Sequence, residues 1–142
     1  MTIQEKQNAI IEEFSMFDDW MDKYSYLIEL GKELPPINEK YKDPQHLISG
    51  CQSRVWLQAD MDESGKINFS ADSDAVITKG IVSLLIKAFS GHTPDEILEA
   101  DLDFLEQIGL KEHLSPTRSN GLVSMIKQIR LYAQAFKLKQ GK

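Results

Sequence analysis

The sequence predicts an α+β fold, in which a small antiparallel β-sheet carries helices packed largely on one face. Helical periodicity dominates the 142-residue chain before residue 32 and after residue 75. Between these parts, apolar residues alternate with polar ones, which is typical of half-buried strands. The chain contains no repeat, low-complexity tract or linker, so we expect a single domain over residues 1–142.

The N-terminal part predicts two helices. Apolar residues recur at helical spacing over residues 3–14 and again over 17–31. Ser15, three residues before Asp18, predicts a capping box at the start of the second helix. Gly31 is the expected end of that helix, because glycine readily adopts the left-handed backbone that terminates helices.

Residues 32–50 form a long, mostly polar connection. Long irregular segments are uncommon inside compact domains and are often functional. Because the segment offers few apolar residues as anchors, we expect it to open readily. It leads directly to Gly50 and Cys51.

The middle of the chain predicts a β-hairpin followed by a buried helix. Alternating stretches at 54–61 and 67–71 flank a turn that contains Gly65. Residues 72–74, Asp-Ser-Asp, are expected to end the second strand and to cap the next helix. That helix, over 75–90, is apolar almost all round, which predicts a central position in the core.

The remaining elements are helical. Gly80 lies inside the central helix, where it costs about 1 kcal/mol relative to alanine, so we expect a close backbone contact at that point. Thr93-Pro94-Asp95-Glu96 predicts the start of a short helix. Another helix covers 102–108, and the last runs from Pro116 to about Lys139.

Composition limits the classes of partner. A formal net charge of -6 argues against nucleic-acid binding, which needs a basic surface. The most apolar run, residues 81–89, is far shorter than the roughly 20 residues of a membrane span, and the start of the chain does not resemble a signal peptide. With one unpaired cysteine, we expect a cytoplasmic protein without a membrane partner. The oligomeric state is left open, a homodimer included.

Cys51 is the only cysteine of the chain. A lone thiol cannot form an internal disulfide or supply the three or four soft ligands of a zinc or iron–sulfur site, so we expect no metal and no cofactor. Free cysteines most often lie in the core. Here, however, Gly50 permits a tight bend and the neighbouring residues are polar. This pattern indicates a presented thiol that acts as a nucleophile or carries sulfur.

Two further interpretations rest on single residues. His46, His92 or His113 could act as a general base for Cys51 in a hydrolase, but nothing in their spacing brings one to the thiol. Arg118, near the start of the last helix, opposes the helix dipole. A neighbouring anion, such as a thiolate, would explain its position.

Several stretches, in the right order along nearly the whole chain, resemble the SufE family of sulfur-acceptor proteins in iron–sulfur cluster assembly. The most specific runs from Ser49 to Leu57 and reads Ser-Gly-Cys-Gln-Ser-Arg-Val-Trp-Leu. The others are Ile28-Glu29-Leu30-Gly31-Lys32, Leu34-Pro35, Asp72-Ser73-Asp74-Ala75, Lys79-Gly80, His113-Leu114-Ser115-Pro116, Arg118-Ser119 and Gly121-Leu122. Two residues depart from the family pattern: Ala71 stands where glycine is expected, and Thr117 where serine is frequent.

The resemblance implies a function and a set of partners. Cys51 would take a persulfide sulfur from a SufS-type cysteine desulfurase, stimulate that enzyme, and pass the sulfur to the SufB-containing scaffold complex. Gly50, Gln52, Asp74 and Arg118 would support this site. The implied fold is the one shared with IscU-type scaffolds, but a single cysteine suits carrying sulfur rather than assembling a cluster. The chain would then be a sulfurtransferase-like accessory protein rather than an autonomous enzyme. The alternative is an interaction module in which Cys51 is inert.

Overall fold

The computed structural model describes residues 1–51 and 53–140 and has the predicted α+β fold. Seven α-helices, two strands and one short 3-10 helix occur within those residues. In chain order they are α1 Ile3–Ser15, α2 Trp20–Glu33, the 3-10 helix Glu39–Tyr41, β1 Val55–Met61, β2 Ile67–Ser73, α3 Val76–Phe89, α4 Pro94–Glu99, α5 Asp103–Gln107, α6 Leu110–His113 and α7 Pro116–Gln140.

The sheet is the predicted antiparallel hairpin, and one of its faces forms part of the core. Leu57 lies opposite Ala71 and Ala59 lies opposite Phe69, and all four side chains are buried. Helix α3 packs on β2, and the Tyr132 hydroxyl of α7 donates a hydrogen bond of 2.9 Å to a main-chain carbonyl of β1. The prediction that the helices gather largely on one face is therefore confirmed.

Short segments cover both edges of the sheet. The Ile48 N–H donates to the Val55 carbonyl at 2.8 Å, so the end of the long connection pairs with β1. At the other edge, the Ile67 N–H donates to the His92 carbonyl at 2.8 Å. Unpaired strand edges invite association with other chains, and these two pairings satisfy part of each edge.

Helices α2 and α3 cross at two glycines. A β-carbon on Gly31 would lie 2.9 Å from the Gly80 nitrogen, and one on Gly80 would overlap with the Leu27 carbonyl. The close contact predicted at Gly80 is confirmed. The prediction that Gly31 ends α2 is wrong, because the helix continues to Glu33 and uses Gly31 inside the crossing.

Helix α2 also begins later than predicted, so the capping box at Ser15 is wrong. Ser15 is the last residue of α1, and its hydroxyl donates to the Glu12 carbonyl at 2.7 Å. The N-cap of α2 is Asp19, whose carboxylate accepts the Met21 N–H at 2.8 Å. A hydroxyl engaged in the last turn of one helix is not free to cap the next.

The connection from α2 to β1 is better anchored than predicted. Leu34, Ile37 and Ile48 are buried in the core, and Glu39–Tyr41 form a 3-10 turn. These residues attach the segment to the core at three points, and the expectation that it opens readily stays a prediction.

The predicted caps of α3 are also wrong. The N-cap is Ala75, and no side chain caps this helix end. Asp72 instead binds Lys42 at 3.0 Å and Lys79 at 3.4 Å, while Asp74 accepts the Arg54 N–H at 3.0 Å. Lys42 and Arg54 are distant in sequence from these carboxylates, so local spacing cannot reveal these two contacts.

The remaining helix predictions are confirmed, with one addition. Thr93 and Glu96 form the predicted capping box of α4, and α7 begins at Pro116. Gly109 follows the end of α5 with φ +79°, after which the short helix α6 begins without having been predicted. Over the ranges 1–51 and 53–140, no helix has both the length and the apolar character needed to span a membrane.

Candidate functional site at Cys51

Gly50 directs the chain into the site. Its φ of +90° lies in the left-handed region, where side chains with a β-carbon are strained. A β-carbon at this position would also overlap with the Ser124 hydroxyl of α7. The predicted bend is therefore present, and it brings the following residue against α7.

Cys51 is half-buried against the second turn of α7. Its thiol donates to the Gly121 carbonyl, with Sγ 3.6 Å from the oxygen. A β-carbon on Gly121 would lie 3.6 Å from Sγ, an ordinary van der Waals contact. The thiol is thus sheltered by a helix surface that presents backbone rather than a side chain.

Burial controls the protonation of this thiol. Desolvation raises the pKa of Cys51, because a buried thiolate loses hydration. A protonated thiol can donate to the Gly121 carbonyl, whereas a thiolate could not. In this conformation the sulfur is therefore held in its less reactive form.

A cavity of about 340 Å³ opens beside the sulfur. It lies between α3, α7 and the chain at Cys51 and Ser53, and its wall contains hydroxyl groups and one arginine. The lining residues are Cys51, Ser53, Thr78, Ile81, Ser115, Thr117, Arg118, Gly121 and Met125. Arg118 thus lies at the same cavity as the thiol, and its predicted role toward a thiolate stays a prediction.

The chain is fastened on both sides of Cys51. Before it, His46 bonds to Asp43 at 2.7 Å and to Gln58 at 3.1 Å through its two ring nitrogens. After it, Arg54 and Asp74 exchange two hydrogen bonds, of 3.0 Å and 3.2 Å. The hydrogen bonds at His46 and Arg54 therefore hold the chain at two points, one on each side of the thiol.

The other predicted site residues divide into three groups. Gly50 and Arg118 lie at the site. Asp74 does not line the cavity and instead fixes the start of β1. Gln52 lies outside the described residues, so its predicted role stays a prediction.

The three histidines have other partners. His46 is engaged by Asp43 and Gln58, His92 lies 3.6 Å from Glu96, and His113 stacks on Trp20 with ring centroids 4.2 Å apart. No histidine nitrogen bonds to Cys51 in the described part of the chain, so the hydrolase interpretation gains no support. Nor do the described side chains include a group of three or more His, Cys, Asp or Glu that could hold a metal ion.

Sequence reasoning missed the α3 side of the site. Thr78 and Ile81 line the cavity, but their spacing identifies them only as residues of a buried helix. Ser124 was missed for the same reason. Its hydroxyl occupies the position next to Gly50 that a β-carbon would need, and only the folded chain brings the two residues together. No local signal marks a contact between segments more than 25 residues apart.

Comparison with known proteins decides the family. Residues 8–133 match the sequence model described as "SufE: Fe-S metabolism associated domain". The chain belongs to the SufE family. Its role therefore lies in iron–sulfur metabolism. A solved structure with the same fold is the solution structure of a hypothetical protein from Thermus thermophilus, at a TM-score of 0.77 and 21% identity, covering 94% of this chain and 96% of that one.

Proposed function

We propose that this SufE-family chain is a sulfur acceptor and carrier that uses Cys51. The observation that carries the proposal is the placement of the only thiol. It lies on a short segment fastened at both ends, beside a cavity with room for an additional sulfur atom. A carrier needs one reachable thiol that can also be sheltered between transfers, and this arrangement meets both needs.

The transfer step is a thiol–disulfide-type exchange. The Cys51 thiolate attacks the outer sulfur of a persulfide on a cysteine desulfurase. A new S–S bond forms at Cys51, the S–S bond of the desulfurase breaks, and its cysteine leaves as a thiolate. The Cys51 proton is lost to solvent when the sulfur leaves its buried position, since burial is what raises the pKa of the thiol.

The proposed partners are those that the family implies. The donor is a SufS-type cysteine desulfurase, whose turnover rises because its persulfide is removed. The acceptor is the SufB-containing scaffold complex, reached by a second exchange of the same type. We place these reactions in the cytoplasm, and a homodimer stays a prediction.

Intact-mass measurement after incubation with a cysteine desulfurase and cysteine tests the proposal. The chain should gain the mass of one sulfur atom, and a reductant should remove it. Cys51→Ser is the matched control and should gain nothing while retaining its fold. A sulfur gain on Cys51→Ser would show that another group carries the sulfur and would overturn the proposal.

The competing function is an interaction module in which Cys51 takes no part. The half-burial of the thiol and its raised pKa favour this alternative. If it is correct, Cys51→Ser will stimulate the desulfurase as well as the wild-type chain does. Loss of stimulation in Cys51→Ser, with binding to the desulfurase unchanged, decides for sulfur transfer.

A further inference from the structure

The cavity beside Cys51 has the features of an anion site. Two helices begin at its wall: Thr78 is in the first turn of α3, and Thr117 and Arg118 are in the first turn of α7. The N-terminus of a helix attracts anions, because its first N–H groups lack partners within the helix and carry partial positive charge. With two helix N-termini at one cavity, their partial positive charges add.

Neither helix end is neutralised by an acidic side chain. The first turns of α3 and α7 contain no aspartate or glutamate, and no side chain caps α3. Asp74 precedes α3 closely, but its carboxylate accepts the Arg54 N–H and does not line the cavity. Arg118 is the one charged residue among the described residues that line it, and its guanidinium forms no ion pair with any of them.

One N–H group at the start of α7 already has a partner. The Ser115 hydroxyl accepts the Arg118 N–H at 3.3 Å. The Thr117 N–H comes one residue earlier, in the part of the turn where helical N–H groups have no carbonyl to reach. Helix α7 therefore offers the Thr117 N–H and the Arg118 guanidinium to the cavity, rather than its whole first turn.

The largely buried side chain of Thr78 supplies an independent sign of a ligand site. Thr78 is only 8% exposed and lines the cavity. Its hydroxyl has no hydrogen-bond partner among residues 1–51 and 53–140, and the oxygen is not one of the fully buried polar atoms, so it opens to the cavity. An acceptor placed in the cavity would satisfy it.

We propose that this cavity binds a compact oxyanion of about the size of sulfate, directly beside the Cys51 thiol. The Thr78 hydroxyl, the first N–H groups of α3 and the Thr117 N–H donate to the oxyanion, and Arg118 supplies the opposite charge. The volume of about 340 Å³ accommodates such an ion together with water. The inference does not depend on sulfur transfer, because it concerns the chain with an unmodified thiol.

The bound anion affects the thiol. A negative charge next to Cys51 disfavours the thiolate, which adds to the effect of burial. Oxyanion binding therefore slows the reactions of Cys51 with electrophiles. Sulfate, phosphate and acetate all present negatively charged oxygen acceptors, but they differ in shape. Their relative affinities identify the class of oxyanion that the cavity prefers.

Titration of the free-thiol protein with sodium sulfate, at constant ionic strength set with chloride, tests the proposal. The backbone amide signals of residues 76–78 and 117–118 should shift and saturate at millimolar sulfate. Arg118→Gln should weaken binding about fivefold or more, the effect of losing a charge-assisted hydrogen bond. Thr78→Val, which keeps the shape of the side chain, should weaken it as well.

Arg54→Gln is the matched control, because it removes an exposed arginine that does not line this cavity. It should leave the affinity unchanged. Shifts that fail to saturate with sulfate, phosphate and acetate alike would reflect only charge screening and would overturn the site. Alkylation of Cys51 provides a second readout, and sulfate should slow it with the same midpoint. An alkylation rate unaffected by saturating sulfate would place the anion away from the thiol and would also overturn the proposal.

Discussion

Two glycine contacts in this molecule look alike but have opposite consequences. At the α2–α3 crossing, Gly31 and Gly80 bring backbone against backbone, with only 2.9 Å between a β-carbon on Gly31 and the Gly80 nitrogen. At the site, Gly121 brings backbone against the Cys51 sulfur at an ordinary 3.6 Å. The first contact cannot yield without moving a helix, whereas the second involves one side chain on a short loop. The fold is therefore rigid where it supports the site and adjustable at the thiol itself.

Gly80→Ala should have the largest effect on stability. The added methyl overlaps with the Leu27 carbonyl of α2, so the two helices must separate. We expect the free energy of unfolding to fall by about 1–3 kcal/mol, even after the better helix propensity of alanine is included. Chemical denaturation measures it.

Gly121→Ala is the matched control, since the same substitution meets only an ordinary contact. It should change the free energy of unfolding by less than about 1 kcal/mol, and in the stabilising direction. Equal losses in Gly80→Ala and Gly121→Ala would show that the two contacts do not differ.

Gly50→Ala should have the next largest effect on stability. The φ of +90° costs a residue with a β-carbon about 1–2 kcal/mol, and the methyl also meets the Ser124 hydroxyl. The variant can relieve both by moving Cys51 away from α7, so alkylation of Cys51 should become faster. Combining it with Ser124→Ala removes the hydroxyl and should restore part of the slow alkylation. A Gly50→Ala chain with unchanged stability and unchanged alkylation would contradict the assigned backbone role.

Release of Cys51 from α7 should involve less free energy than global unfolding. We predict that a desulfurase selects an extended segment, in which the contact between Cys51 and Gly121 is broken. Hydrogen exchange with and without desulfurase should change at Cys51 and its immediate neighbours, while the pairing of Ile48 with Val55 stays protected. Rapid, complete alkylation of the free chain, together with exchange that binding does not alter, would mean a permanently exposed thiol.

Arg118→Ala should slow sulfur acceptance more than it weakens folding. The side chain is exposed and its guanidinium makes no ion pair within the described ranges, so stability should change by no more than about 0.5 kcal/mol. Single-turnover transfer from a persulfide-loaded desulfurase measures the rate. An unchanged rate at saturating desulfurase, with unchanged affinity, would remove Arg118 from the site.

The smallest effect concerns pH. Burial raises the pKa of Cys51 in the folded chain, so the unfolded chain loses its thiol proton first. The contribution of Cys51 to the free energy of unfolding is therefore fully present below the thiol pKa of the unfolded chain, about 8.5. It declines as the pH rises above that value. The decline should be absent in Cys51→Ser, compared by denaturation at pH values on either side of that pKa. A thiol that alkylates with the same pH dependence in native and denatured chains would contradict the shift.

The sequence alone determined the features that depend on neighbours within a few residues. The hairpin follows from alternation, the start of α4 from the Thr93 capping box, and the bend at Cys51 from Gly50. The capping box and the bend are governed by backbone preferences and by contacts within about one helical turn. The hairpin joins residues as far apart as Val55 and Ser73, but the alternation that predicts its strands is recorded directly in the order of residues. The need for a close contact at Gly80 is also local, because glycine inside a helix is unfavourable without one.

Only the tertiary structure decided which partner each of these groups meets. A glycine such as Gly31 suits both a helix end and a close helix crossing. Because α2 packs on α3 at this residue, Gly31 lies in the crossing and not at the end of α2. Asp74 could cap α3, but it bonds to Arg54 because the hairpin brings the two together. The cavity at Cys51 exists because the starts of α3 and α7, which are distant in sequence, meet beside one sulfur atom. Such choices result from competition among contacts distant in sequence, and their outcome depends on how the whole core packs.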